Sequence, residues 1–189
     1  MNKEYAQRCE NLFRGLYQVY EWIKNGEPLP DSNTSRLLHD PDKDLFTKKI
    51  EEELGELVDL SAGNHSHTGN PKRDFLMEGH QVWYWLTMLG VTEDLDYDNL
   101  RTHEHLLSGF RNDCDMLQRK RPEIVTGTIP EIILTNKTCM EFVGYKCNQF
   151  DAYPHEIGVY DLEQMKRRPY LMEPLLEFGL IESEQENKE

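Results

Sequence analysis

KKIEEELGELVDL (residues 48–60) and FLMEGHQVWYWLTML (residues 75–89) are the two stretches that decide the fold of this chain. Apolar residues in both recur three or four positions apart, which at about 100° per residue places them on one face of a helix. The apolar stripes consist of Phe46, Ile50, Leu54 and Leu57 in the first helix and Phe75, Val82, Trp85, Leu86 and Leu89 in the second. Nearly every long segment repeats this period, so the sequence predicts an all-α helical bundle in which these two helices lie side by side and antiparallel.

Acidic side chains fall on the same helical faces. Glu53 lies at the edge of the first stripe and Glu78 inside the second, while Glu52 and Glu56 occupy the adjoining strip. A carboxylate that faces a core is costly unless it is paired or bound to a metal. Two helices that bring acid to one interface therefore indicate a hard-cation site, for Mg²⁺ in the first place with Mn²⁺ as an alternative.

Each part of this pattern also has a purely structural interpretation. Three glutamates on one helix are typical of a solvated face, and Lys48 and Lys49 can form ion pairs with Glu52. A single glutamate on an apolar stripe can extend to the edge of that stripe. The metal hypothesis depends on both features occurring together.

Composition limits the classes of function. The chain has 189 residues, a hydrophobic content of 38% and a formal net charge of −14 at pH 7, which argues against binding to a nucleic-acid backbone. It does not argue against a nucleotide, because bound divalent ions can carry a polyphosphate. No apolar run approaches the roughly 20 residues of a membrane helix, and the polar N-terminus predicts a cytoplasmic protein. Four scattered cysteines show no metal-binding spacing and are predicted to be reduced packing residues.

Helix start and stop signals predict the order of elements along the chain. Residues 31–40 are predicted to form a loop, and residues 124–129 (IVTGTI) are the one candidate for a short strand or hairpin. We expect a helical core over residues 1–90 and a mostly helical extension over residues 91–189, packed on the core, with a polar tail from about residue 182. The first four predicted helices span residues 4–24, 40–62, 70–89 and 99–120, and Asp40 is the predicted N-cap of the second. A fifth helix is predicted to begin at Thr128 and Pro130, and Asp161 is predicted to cap the last one.

Residues 16–89, and most densely residues 31–60, resemble phosphoribosyl-ATP pyrophosphohydrolases. That family shows a Ser-x-Thr stretch followed by Lys-Lys-hydrophobic-x-Glu-Glu-x-x-Glu. The matching positions here are Ser32 and Thr34, Lys48 and Lys49, and Glu52, Glu53 and Glu56. The pattern Glu53-x-x-Glu56 followed by Glu78-x-x-Gln81 is also similar to the ExxE…ExxD motif of the MazG-type all-α nucleotide pyrophosphohydrolases, with Gln81 where the family has Asp.

The resemblance implies a fold, a reaction and a set of site residues. The fold is the helical bundle of these enzymes, and the reaction is Mg²⁺-dependent hydrolysis of the α–β phosphoanhydride of a nucleotide, with phosphoribosyl-ATP as the favoured substrate. A (d)NTP house-cleaning pyrophosphatase and a non-catalytic nucleotide-binding relative are the alternatives, and Gln81 keeps the second of these open. The implied metal ligands are Glu52, Glu53, Glu56, Glu78 and Gln81; the implied catalytic residues are Glu52, as proton acceptor, and Glu53; the implied substrate-binding residues are Lys48, Lys49, Ser32 and Thr34.

Histidines give a weaker signal. His65 and His67 can form a zinc pair, but two histidines without further ligands nearby in sequence are usually solvent-exposed, so we assign them no site. His80 is predicted to have a packing role beside the acidic residues, with a role as general acid as the alternative. The aromatic excess around Trp83 to Trp85 indicates a helix buried on several sides, and a homodimer or larger homo-oligomer is expected from it and from the resembling families.

Overall fold

All regular secondary structure in the described part of the chain is helical, which confirms the all-α fold class. The computed structural model describes residues 2–111 and 120–182. Across these residues no helix is both long enough and apolar enough to span a membrane. The helices are α1 (Lys3–Asn25), α2 (Asn33–His39), α3 (Lys43–Ser61), α4 (Pro71–Thr92), α5 (Tyr97–Leu100), α6 (Thr102–Arg111), α7 (Ile129–Gln149), α8 (Pro154–Lys166), a 3₁₀ turn (Pro169–Leu171) and α9 (Met172–Glu177).

Helices α3 and α4 form the antiparallel pair that the sequence predicts. The beginning of α3 meets the end of α4, since Lys43 Nζ lies 2.5 Å from Glu93 Oε1. Further along, the rings of Phe46 and Trp85 lie 6.0 Å apart. The two acidic segments therefore face each other, near the end of the pair where the connecting loop lies.

One helix boundary differs from the prediction, and one helix is additional to it. The residue that caps α3 is Asp42, whose carboxylate accepts the amide proton of Leu45 at 3.0 Å, and not Asp40. Asp40 instead ends α2, a helix in the segment that was predicted to be a loop. Helix α2 forms because the Ser32 hydroxyl caps it and because it buries apolar side chains against the core. By contrast, Asn70 caps α4 as predicted.

The second half of the chain also departs from the prediction in three places. The expected helix over residues 99–120 is interrupted at Arg101, which has a φ of 45° between α5 and α6, and residues 112–119, with Cys114, lie outside the described residues. Residues 124–129 form no strand, because the Thr135 hydroxyl occupies both backbone groups of Val125, accepting from its N–H at 3.1 Å and donating to its C=O at 2.7 Å. Asp161 does not cap the last long helix but lies in the middle of α8, buried.

One hydrophobic core extends through both halves of the chain, from Phe13 to Leu175. Helices α6 and α7 approach closely at Gly109 and Gly144, where a Cβ would lie 2.0 Å from the carbonyl oxygens of Glu141 and Leu106 respectively. Such contact between backbones is possible only without side chains at these positions. Cys9, Cys139 and Cys147 are buried and free, as predicted.

The aromatic residues of α4 are covered within the single chain. Trp83 has no exposed surface and packs edge-on against Phe13 and Tyr20 of α1, with ring centroids 5.4 and 5.9 Å away. Trp85 is 9% exposed. A second copy of the chain is therefore not needed to bury this helix, and the expected homo-oligomer stays a prediction.

Candidate metal centre and adjoining cavity

Four side chains converge where α3, α4 and the loop between them meet. Glu56 comes from α3, Glu78 from α4, and His65 and His67 from the loop, and each contributes one ligand atom that lies within 4.8 Å of the other three. His67 Nε2 lies 2.6 Å from Glu78 Oε1 and 2.7 Å from His65 Nε2, which in turn lies 3.3 Å from Glu56 Oε2. We call these four residues the His/Glu cluster.

The connecting loop turns back on itself at two glycines. Gly63 has a φ of +77° and Gly69 a φ of +75°, a left-handed conformation that glycine adopts without steric cost. They bracket the segment that carries both histidines, so the chain leaves α3, passes over the cluster and enters α4 at Asn70. The loop thus returns the histidines to the side of the helix pair that carries the acidic residues.

Asp74 holds the histidine loop in place. This side chain in the first turn of α4 has no exposed surface, and its two oxygens accept from the Ser66 and Thr68 hydroxyls and from the amides of His67 and Thr68, at 2.6 to 3.1 Å. Burial alone would raise the pKa of Asp74, but these hydrogen bonds outweigh it and lower the pKa. The carboxylate therefore stays ionised and fixes the backbone at His67.

The cluster is a site of unbalanced negative charge. Glu78 has no exposed surface, and its neighbour Glu53 is 4% exposed. Burial, with the neighbouring charges of Glu78 and Glu56, raises the pKa of Glu53 to about 7. Burial and the Glu56 charge also raise the pKa of Glu78. Carboxyl groups held so close in a buried site favour a proton or a cation between them.

The structure places the remaining predicted ligands around this cluster in different ways. Gln81 Nε2 donates to Glu78 Oε2 at 3.4 Å, so its amide contacts a cluster residue. Glu52 is exposed and forms an ion pair with Lys49 at 2.7 Å, and it is not among the residues whose ligand atoms converge. Lys48 is exposed as well.

The two histidines are candidate site residues that the sequence prediction left out. They were assigned no site because no further ligands lie nearby in sequence. His67 is exposed, as expected, and His65 is half-buried, but the further ligands, Glu56 and Glu78, come from the two flanking helices. A signal was present, because the loop joins two antiparallel helices whose acidic residues lie within a few turns of it. Side chains at the centre of such a loop can reach back to that interface.

A cavity of about 420 Å³ opens on the other side of Gln81, between α1, α2, α4 and α8. Its volume is typical of a small-molecule site. Thr34, one of the predicted substrate contacts, lines it, whereas the hydroxyl of Ser32 serves as the cap of α2. The aromatic and polar lining residues include Tyr84, Trp85, Tyr160, Asn33, Gln164 and Arg168.

His80 and Asp161 form a partly buried polar contact in the wall of this cavity. His80 Nε2 lies 2.9 Å from Asp161 Oδ1, and the Tyr20 hydroxyl lies 3.1 Å from both oxygens of the same carboxylate. His80 thus has a hydrogen-bonded position between α4 and α8 and not only the packing role predicted for it. The contact fixes α8, with its cavity-lining residues, against α4.

Comparisons of the chain with known protein families, with characterised proteins and with solved structures find no match.

Proposed function

We propose that this chain is a metal-dependent nucleotide pyrophosphohydrolase that cleaves the α–β phosphoanhydride to a nucleoside monophosphate and pyrophosphate. The observation that carries the proposal is that the His/Glu cluster and the cavity meet at Gln81, which contacts Glu78 on one side and lines the cavity on the other. A nucleotide requires such a pair of neighbouring sites, one for a metal-bound polyphosphate and one for the nucleoside.

The cavity suits the nucleoside part of the substrate. Tyr84 and Tyr160 offer aromatic faces, and Asn33 and Gln164 offer amide groups that can hydrogen-bond to the edges of a base. Arg168 adds a permanent positive charge, held 3.4 Å from the Thr34 hydroxyl. A planar, polar heterocycle with a phosphate attached matches this combination better than an apolar ligand does.

The cluster suits the phosphate part. A divalent ion held by Glu56, His65, His67 and Glu78 would neutralise phosphate charge and lower the pKa of a coordinated water. Glu53 is buried beside Glu78 and would be the group that accepts a proton from a water at the cluster. We therefore assign the proton acceptor to Glu53 instead of Glu52, which is exposed and paired with Lys49.

Phosphoribosyl-ATP is the favoured substrate on the resemblance of residues 16–89. A (d)NTP is the second candidate, since it needs the same metal centre and a different fit in the cavity. A non-catalytic nucleotide-binding protein is the third, because an amide at Gln81 supplies no charge where the resembling enzymes have a carboxylate.

Pyrophosphate release tests the proposal. Purified protein is assayed with phosphoribosyl-ATP and a panel of NTPs and dNTPs in the presence of Mg²⁺, Mn²⁺ or Zn²⁺ and with EDTA. We expect metal-dependent release that Glu78→Gln abolishes and that Glu51→Gln, a matched change at an exposed position of α3, leaves intact. If the protein binds a nucleotide but releases no pyrophosphate with any of these metals, the proposed enzymatic activity is overturned and the non-catalytic nucleotide-binding protein remains.

A further inference from the structure

The donor atoms of the His/Glu cluster differ from those expected for Mg²⁺. Mg²⁺ prefers oxygen ligands in octahedral geometry and retains several waters, whereas imidazole nitrogen suits zinc, copper, iron and nickel. Two of the four converging ligand atoms belong to histidines. The acidic residues alone predict a magnesium site, and the loop between the helices changes that expectation.

We propose that the His/Glu cluster is a mixed imidazole–carboxylate centre for a first-row transition-metal dication, with His65 and His67 as ligands, and that it selects such an ion over Mg²⁺. The inference rests on the proposed function in so far as the same four side chains form the reaction centre. Metal binding can nevertheless be measured without any nucleotide.

The positions of the two imidazoles support this assignment. Their Nε2 atoms lie 2.7 Å apart, and each also lies within 4 Å of both a Glu56 and a Glu78 oxygen. A neutral imidazole has one protonated and one unprotonated nitrogen. A proton shared between the two rings could therefore bridge the two Nε2 atoms but not also the contacts with Glu56 and Glu78. A cation at the centre would accept lone pairs from all four groups at once.

The histidines are also held in place before any ion binds. The four hydrogen bonds to Asp74 fix the backbone on both sides of His67, and α4 supplies both Asp74 and the ligand Glu78. The Gln81 amide donates to the other oxygen of Glu78, Oε2, at 3.4 Å and helps to orient this carboxylate. Supporting contacts of this kind around ligands are typical of metal centres and contribute strongly to affinity.

The surroundings of Glu78 support the metal assignment in addition to the close approach of the carboxylates. Glu78 has no exposed surface, yet among the described residues its Oε1 pairs with the two imidazoles and with no lysine or arginine. A buried carboxylate that faces two imidazole nitrogens is a donor set suited to a transition-metal dication. In contrast, Glu52 is satisfied by Lys49 and needs no ion.

Isothermal titration of EDTA-treated, dialysed protein with ZnCl₂, MnCl₂ and MgCl₂, in the absence of nucleotide, tests the inference. Because transition metals bind most nitrogen and oxygen sites more tightly than Mg²⁺ does, the variants decide the result. We expect His65→Ala and His67→Ala each to weaken Zn²⁺ and Mn²⁺ binding by at least about 100-fold, since even residues that only support a ligand contribute about 10–100-fold. Mg²⁺ binding should stay nearly unchanged, and His105→Gln, a histidine of α6 outside the cluster, should affect no metal.

A second readout guards against a misfolded variant. Co²⁺-loaded protein should show visible absorption bands that change when either histidine is replaced, while the circular dichroism spectrum stays that of the unmodified chain. Tight Zn²⁺ or Mn²⁺ binding that depends on both histidines supports the inference even if pyrophosphate release is absent, in which case the proposed function fails alone. If the histidine variants bind each of the three metals with the affinity of the unmodified chain, or if the protein binds no metal at all, the inference is overturned.

Discussion

The Asp74 carboxylate accepts the backbone N–H of His67 at 3.1 Å. This contact makes one helix responsible for two parts of the candidate centre, because α4 carries the ligand Glu78 and also holds the loop that carries the histidines. The geometry of the His/Glu cluster therefore depends on a residue that is not itself among the converging ligands.

Replacing Asp74 tests this dependence. Asp74→Asn removes the charge and turns one acceptor into a donor that faces other donors, so we expect a loss of about 1–3 kcal/mol in the free energy of unfolding. We also expect a fall of about 10–100-fold in Mn²⁺ affinity. Chemical denaturation and titration calorimetry measure the two effects. Asp59→Asn, the same change at an exposed position of α3, should produce neither, and equal effects in the two variants would refute the role of Asp74.

The sequence was sufficient to predict the helix pair but not the centre it supports. The 3.6-residue period of α3 and α4 and the Asn70–Pro71 start signal involve residues that are close in sequence, so they can be recognised without knowledge of the tertiary structure. The placement of His65 and His67 depends on the non-local approach of Glu56 and Glu78 and on the Asp74 contacts, none of which periodicity reports.

The same reason explains the errors in the second half of the chain. The β-branched residues 124–129 favour a strand by propensity, but the described residues contain no second strand to pair with them. The backbone N–H and C=O of Val125 are hydrogen-bonded to the Thr135 hydroxyl instead. Aspartate is a common helix N-cap, yet Asp161 lies inside α8. Its carboxylate is hydrogen-bonded there to Tyr20 and His80, which are distant in sequence.

Gln81→Asp should strengthen Mg²⁺ binding. Gln81 contacts Glu78, and a carboxylate in its place adds one negative charge beside the cluster. A unit charge at 4 Å contributes about 4 kcal/mol at an effective dielectric constant near 20, and desolvation offsets much of it. We therefore expect Mg²⁺ affinity to rise by about 10–100-fold.

Calorimetric titration of the Gln81→Asp variant with MgCl₂ checks this expectation. Gln164→Asp is the matched control, because it places a carboxylate in the same cavity but on α8. An identical Mg²⁺ affinity for Gln81→Asp and the unmodified chain would mean that residue 81 does not contact the ion.

Arg168→Ala should weaken nucleotide binding without affecting the metal. Among the described residues that line the cavity, Arg168 carries the permanent positive charge. A hydrogen bond to a charged group contributes about 1.5–3 kcal/mol, so the KM for the nucleotide should rise by about 10–100-fold. Steady-state kinetics compare it with Arg167→Ala, the neighbouring exposed arginine, which should keep the original KM. Equal KM values for both variants would place the nucleoside elsewhere.

Gly144→Ala should destabilise the fold through the contact between α6 and α7. A Cβ at Gly144 would lie 2.0 Å from a backbone oxygen. A side-chain rotation cannot relieve this clash, so the helices must separate, which destabilises the fold by about 1–3 kcal/mol. Gly55→Ala is the control, because its Cβ would find its nearest neighbour at 3.8 Å and alanine favours a helix by about 0.5–1 kcal/mol. Urea denaturation should therefore show opposite signs for the two changes, and a neutral Gly144→Ala would contradict the close helix crossing.

Anomalous diffraction from crystals soaked in MnCl₂ tests the central claim most directly, because it locates the ion without reference to activity. We expect one strong peak enclosed by Glu56 Oε2, Glu78 Oε1 and the Nε2 atoms of His65 and His67, which are the atoms that already converge. A peak at another place in the protein, or histidines that point away from the two carboxylates, would contradict the account.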